Sequence, residues 1–174
     1  ANTTPATAIL SVYSGKPPRE ITGRGTGLDD AGVLRKAAVI EKSIALNKPD
    51  AGDALDVLAK VGGFEIGGIA GLCLAGARHR VPVLVDGFIS SAGALLACRL
   101  EPSVRPYIMS AHKSAEPGTA AMLSELGLEP VLDLGFRLGE GTGAAVAMML
   151  VDAGVRILTE MATFEDAGVS AKSE

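Results

Sequence analysis

An α/β fold, a parallel sheet flanked by helices, is predicted by three features of this sequence. After residue 80, apolar runs of strand length alternate with helical stretches, the pattern of successive βαβ units. Each of the three runs gives way to polar or glycine residues, at Asp86-Gly87, at His112-Lys113-Ser114 and at Gly135 with the turn that follows. The composition supplies an aliphatic core: hydrophobic residues make up 48%, aromatic residues 3%, and Trp is absent, so Leu, Val, Ile and Ala must fill the interior. At 174 residues, one domain is expected, able to bury roughly two-thirds of the surface its unfolded chain exposes.

The first half reads as helices separated by breakers. A short helix over about residues 5–13 ends at Gly15 ahead of Pro17-Pro18. Gly23-Arg24-Gly25-Thr26-Gly27 is too glycine-rich for a regular element, and Asp29 or Asp30 can then cap a helix carrying Val33, Ala37, Ile40 and Ile44. That helix stops before Pro49. Asp50 is the expected cap of the next, which bears Leu55, Leu58 and Val61 and ends at Gly62-Gly63; a further helix covers about residues 65–78.

Strands are expected over residues 81–85, 104–111 and 131–134. Helices should follow them through Leu95 and Leu96, through Met122 and Leu126, and as a long segment to Met161. This is a Rossmann-like, doubly wound order. In such sheets ligands bind beyond the carboxyl ends of the strands, so three loops should point at one crevice.

Charge and cysteine usage narrow the function. The formal charge is −4 with the basic residues scattered, so neither a nucleic-acid backbone nor an anionic membrane is an expected partner. Cys73 and Cys98 lie in apolar, helix-like stretches outside any CxxC pair; buried free thiols and a cytoplasmic address are expected. No apolar run approaches the roughly 20 residues that span a bilayer, and residues 144–151 read as a buried helix segment. A metal site is not expected, because His112 has no partner at ligand spacing and His79 sits between two arginines at a helix end. No cofactor is implied.

Four groups could carry chemistry. Glu140 stands in Gly139-Glu140-Gly141-Thr142-Gly143, where backbone can approach a ligand and a partly desolvated carboxylate can act as a general base. It could equally cap the long helix, a stabilisation of about 0.3–1 kcal/mol. The glycines at 23–27 could offer backbone N–H groups to a phosphate at a helix start, with Lys36 as a point charge, or form a plain surface turn. His112, Lys113, Ser114 and Glu116 form a polar cluster at a strand end, where Ser114 is also a plausible N-cap. Asp86 could accept hydrogen bonds from sugar hydroxyls or serve as a turn residue.

In order, these motifs resemble nicotinate-nucleotide–dimethylbenzimidazole phosphoribosyltransferases. The resemblance rests on Asn2-Thr3-Thr4-Pro5-Ala6, Gly23-Arg24-Gly25-Thr26-Gly27-Leu28-Asp29-Asp30, Lys60-Val61-Gly62-Gly63-Phe64-Glu65 and Pro82-Val83-Leu84-Val85-Asp86-Gly87-Phe88. It continues through Arg105-Pro106-Tyr107, Ser114-Ala115-Glu116 and Arg137-Leu138-Gly139-Glu140-Gly141-Thr142-Gly143-Ala144. It implies a nucleotide-binding catalytic domain that transfers phosphoribose from nicotinate mononucleotide to 5,6-dimethylbenzimidazole, giving α-ribazole 5′-phosphate and nicotinate. Glu140 then matches the catalytic carboxylate, and Asn2, Thr3, Gly25, Lys36, Asp86, Gly87 and Ser114 match positions around the phosphoribose. A homodimer is also implied. Family members carry a preceding segment with a Gly-Glu-(Leu or Met)-Gly stretch facing the aromatic base, which this chain is expected to lack. A catalytically incomplete nucleotide-binding fragment and a nucleotide or phosphosugar hydrolase are the alternatives.

Overall fold

A computed structural model describes residues 3–169. The element order is α1 (Thr3–Ser14), α2 (Pro18–Ile21), α3 (Asp30–Asn47), α4 (Ala54–Val61), α5 (Phe64–Arg78), β1 (Val83–Val85), α6 (Phe88–Leu100), a 3-10 helix (Pro102–Tyr107), β2 (Ile108–His112), α7 (Thr119–Leu126), β3 (Pro130–Leu132) and α8 (Thr142–Glu160).

Local chemistry sets the helix boundaries. Asp29 Oδ1 accepts from the Gly32 N–H at 2.7 Å and starts α3, whose Ala37 and Ile40 turn inward, three residues apart. The helix ends on Lys48 in the left-handed region, ahead of Pro49. Asp53, and not Asp50, caps α4: its carboxylate accepts from the Leu55 and Asp56 amides. Asp50 instead closes a turn on the Gly52 N–H while its own N–H donates to Asp56. Pro18 at the first helical position opens the unanticipated α2.

The three strands are parallel in the order β1-β2-β3, with Val83 opposite Ile108, Val85 opposite Ser110 and His112 opposite Leu132. Helices α6 and α7, which connect β1 to β2 and β2 to β3, pack against each other, as crossovers of one hand in a sequential parallel sheet require. The strands are shorter than expected. Residues 102–107 form a 3-10 helix because Pro102 and Pro106 lack the N–H groups a ladder needs. The parallel arrangement still brings the carboxyl ends of all three strands to one edge.

The core joins Ile9 and Leu10 of α1, Ile40 of α3, Ile66 of α5, Leu95 and Leu96 of α6, Ile108 of β2 and Met122 of α7. Helix α6 is buried continuously from Ser91 to Ala97, as expected of a helix apolar all round. Cys73 and Cys98 are free thiols, the first buried and the second half-buried; burial raises both, Cys73 to about 11.

Helix α8 departs from expectation. It touches all three strands, yet among its residues only Gly143 and Ala147 are buried, one helical turn apart. A narrow sheet covers one thin stripe, so Met148, Met149 and Leu150, expected inside, are exposed together with Val155, Ile157 and Leu158. By length and composition α8 is also the one helix among the described residues long and apolar enough to cross a membrane, a property not anticipated from its apolar runs alone.

Candidate active site

The turn between β3 and α8 has an unusual backbone. Gly139, Glu140 and Gly141 lie consecutively at φ values of 76°, 57° and 81°. A side chain in this left-handed region is strained by of order 1–3 kcal/mol, and such residues cluster at functional sites. The Thr142 N–H and hydroxyl both donate to the Gly139 carbonyl, at 3.1 and 2.8 Å, and close the turn. The N-cap of α8 is Gly141, without a side-chain cap. The capping role open to Glu140 is filled from another strand: Asp86, just beyond β1, accepts from the Ala144 N–H through Oδ1 at 3.0 Å. Glu140 is exposed and lines the crevice; the protein itself does not desolvate its carboxylate.

His112 lies under this turn. The last residue of β2, it is 5% exposed, with Nε2 3.7 Å from Asp86 Oδ1 and its ring edge-on to Phe136 at 5.7 Å. Its Nδ1 is buried without a hydrogen-bond partner. Gly143 seats against the ring so closely that a Cβ there would come within 1.9 Å of Cδ2. Asp86, His112 and Phe136 together brace the segment that presents Glu140. Asp86→Ala should therefore lower stability by about 1 kcal/mol, the usual cost of losing an N-terminal cap. Asp86→Asn, which keeps an acceptor oxygen, should lose less; thermal denaturation of both variants checks this.

In another part of the crevice lining, Lys36 Nζ donates to Thr3 Oγ1 at 2.5 Å and to the Gly23 carbonyl at 3.1 Å. Gly25 lies beside both side chains: a Cβ at that position would fall 3.1 Å from Thr3 Oγ1 and 3.7 Å from Lys36 Nζ. Burial pushes the Lys36 ammonium down from the usual lysine range, and the Glu116 charge opposes that. The glycine loop uses part of its own hydrogen-bonding capacity. The Gly27 and Leu28 N–H groups donate to the Arg24 carbonyl, and the Arg24 guanidinium binds the Leu28 carbonyl and pairs with Asp30.

The ends of β1 and β2 also line the crevice. Gly87 packs against His112 and Ser114, with a Cβ there 3.4 Å from His112 Nε2 and 3.7 Å from Ser114 Cβ. Ser114 does not cap α7, which starts five residues later behind Gly118; its hydroxyl accepts from the Glu116 N–H at 3.3 Å. Lys113 points elsewhere and pairs with Asp133 on the exposed side.

Of the anticipated site residues, Thr3, Gly25, Lys36, Asp86, Gly87, Ser114 and Glu140 all line one crevice, while Asn2 lies outside the described residues. Phe136 was missed; its signal was an aromatic side chain between a strand and the glycine turn in a chain with few aromatics. The crevice measures about 1460 Å³. Single small-ligand pockets typically measure about 300–1,000 Å³, so two reactants can lie side by side. Among the described residues no group of three or more His, Cys, Asp and Glu could hold a metal ion.

Residues 1–169 match the family model described as phosphoribosyltransferase. The chain is 62% identical over 169 residues to the nicotinate-nucleotide–dimethylbenzimidazole phosphoribosyltransferase of Desulforudis audaxviator, covering 97% of this chain and 48% of that protein. It is 60% identical to the protein of the same name from Geobacter sulfurreducens, with the same coverage. The crystal structure of CobT from Thermus thermophilus superposes with a TM-score of 0.91 at 44% identity, over 99% of this chain and 51% of that one. The chain thus spans about half the length of the curated relatives it matches.

Proposed function

Since the chain belongs to the phosphoribosyltransferase family, we propose that it carries the catalytic crevice of an enzyme that transfers phosphoribose from nicotinate mononucleotide to 5,6-dimethylbenzimidazole, releasing nicotinate and forming α-ribazole 5′-phosphate. The observation that carries this function is Glu140: a carboxylate in left-handed backbone, relieved of helix capping by Asp86 and open to the crevice.

The donor is a β-nucleotide and the product an α-riboside, so one in-line displacement with inversion accounts for the stereochemistry without a covalent intermediate. Nicotinate departs from a cationic pyridinium and needs no acid. The benzimidazole attacks C1′ through one ring nitrogen and must shed the proton on the other, which Glu140 accepts. Thr3, Gly25 and Lys36 hold the 5′-phosphate. Gly87 and Ser114 flank the ribose from the strand ends, where Asp86 also serves through its free carboxylate oxygen. The volume of the crevice supports room for both donor and acceptor.

Two finer parts belong to the same proposal. A homodimer is supported by the exposed apolar face of α8, and a cytoplasmic address by the two free thiols. The decisive experiment measures nicotinate release from nicotinate mononucleotide by the protein at its full natural length. Release that depends on dimethylbenzimidazole is expected. Release without an acceptor would identify a hydrolase, and a folded protein that releases nothing under either condition would overturn the assignment.

A further inference from the structure

Glu116 lines the crevice, and the transfer reaction gives it no task. It lies between β2 and α7 and its Oε2 is buried with no hydrogen-bond partner. Its carboxylate presses on the glycine loop: a Cβ at Gly23 would lie 1.8 Å from Oε2 and 2.8 Å from Cδ. Pro117 Cδ would lie 2.7 Å from the same Cβ, so the Glu116–Pro117 segment together leaves no room for a side chain at position 23. The Gly23 carbonyl in turn accepts from Lys36 Nζ. One residue therefore links the carboxylate to the ammonium, although among the described residues no ion pair within 4.0 Å joins Glu116 to Lys36.

We propose that Glu116 is a positioning residue for Lys36: seated against Gly23, its carboxylate fixes the loop carbonyl that holds the ammonium and supplies the counter-charge that keeps this half-buried lysine cationic for a phosphate monoester. This role rests on the nucleotide-binding function proposed above. Ordinary electrostatics supports it. Burial disfavours the ammonium and a nearby anion restores it, and these are the two opposing influences on Lys36, burial the larger. Several other charges in the neighbourhood are engaged in pairs of their own. Helix α1 carries none. Arg24 is bound to Leu28 and Asp30, Arg35 pairs with Asp29, and Arg19 of α2 pairs with Glu41 further along α3. Lys60 of α4 reaches the far end of α3, at the Lys48 carbonyl.

The sign follows. Phosphate binding through Lys36 requires the protonated amine, which is lost as pH rises. Removing the Glu116 charge lets burial act unopposed, so the amine deprotonates at lower pH.

The test is calorimetric titration, across neutral to alkaline pH, of the full-length protein with nicotinate mononucleotide and with its dephosphorylated riboside. Glu116→Gln is expected to weaken mononucleotide binding by about tenfold, close to the lower end of what one hydrogen bond to a charged group contributes. The alkaline limb of binding should move to lower pH, and riboside binding should not change. Glu116→Asp should restore the limb in part. In a Lys36→Gln background the Glu116→Gln change should add nothing. Equal weakening of mononucleotide and riboside with the limb unmoved would overturn the role and make Glu116 a direct ribose contact. Wild-type protein that binds no mononucleotide would defeat the underlying function instead.

Discussion

Replacing Glu140 by Gln is expected to leave nicotinate mononucleotide binding within about twofold of wild type and to slow phosphoribosyl transfer by about 10²–10⁴-fold, the usual worth of a positioned general base. The separation of binding from turnover follows from where the residue stands. Thr3, Gly25 and Lys36 gather on segments other than the turn that carries Glu140, so the phosphate end of the donor does not depend on residue 140. The amide of Gln preserves the size of the side chain and the left-handed backbone, so the loss isolates proton acceptance from the fold. Stability should hardly move, because Glu140 is exposed and the cap of α8 is supplied by Asp86.

A second substitution at the same position makes that expectation sharper. Glu140→Gly relieves left-handed strain, so it should stabilise the turn while abolishing the carboxylate. A variant more resistant to heat yet as inactive as Glu140→Gln would show that the strain is retained for the carboxylate. If Glu140→Gln instead kept full turnover, the proton would have another acceptor and the assignment of Glu140 would fail.

The fold was legible wherever one physical signal dominated. Alternation of aliphatic runs with helical stretches located three parallel strands and placed Asp86, Ser114 and Glu140 at one edge. A cap at Asp29 or Asp30 was readable because short acceptors directly preceded an apolar stripe, and the structure selects Asp29. Errors arose where two local signals competed. Asp50 and Asp53 both suit the start of α4, and only the three-dimensional turn selects Asp53. Val104 reads as a strand residue, but the prolines on either side exclude a ladder. The deeper omission was long-range: no spacing rule connects Asp86 to the Ala144 amide or Glu116 to Gly23, since each pair is created by the meeting of separate elements. Gly23 and Gly143, like Glu116 and His112, were visible as residues, while the contacts that join them were not.

Gly143→Ala provides the strongest structural test of that last connection. A single methyl would be placed 1.9 Å from His112 Cδ2 and 2.6 Å from Cγ, well inside contact distance. The ring cannot swing aside freely, being buried, edge-on to Phe136 and close to Asp86. The first turn of α8 must move instead, pulling the Ala144 N–H from Asp86 and disturbing the turn that presents Glu140. Overpacking of this kind typically costs about 1–3 kcal/mol, and loss of the cap adds about 1 kcal/mol. Thermal or urea denaturation should therefore show a loss of about 2–4 kcal/mol, and turnover should fall more than nucleotide affinity. The same methyl costs nothing where the ring is absent, so His112→Ala in the Gly143→Ala background should recover part of the lost stability even though His112→Ala alone destabilises. Additive losses in that double-mutant cycle would mean that the imidazole is not what excludes a side chain at position 143, and the brace beneath Glu140 would have to be sought in Phe136 and Asp86 alone.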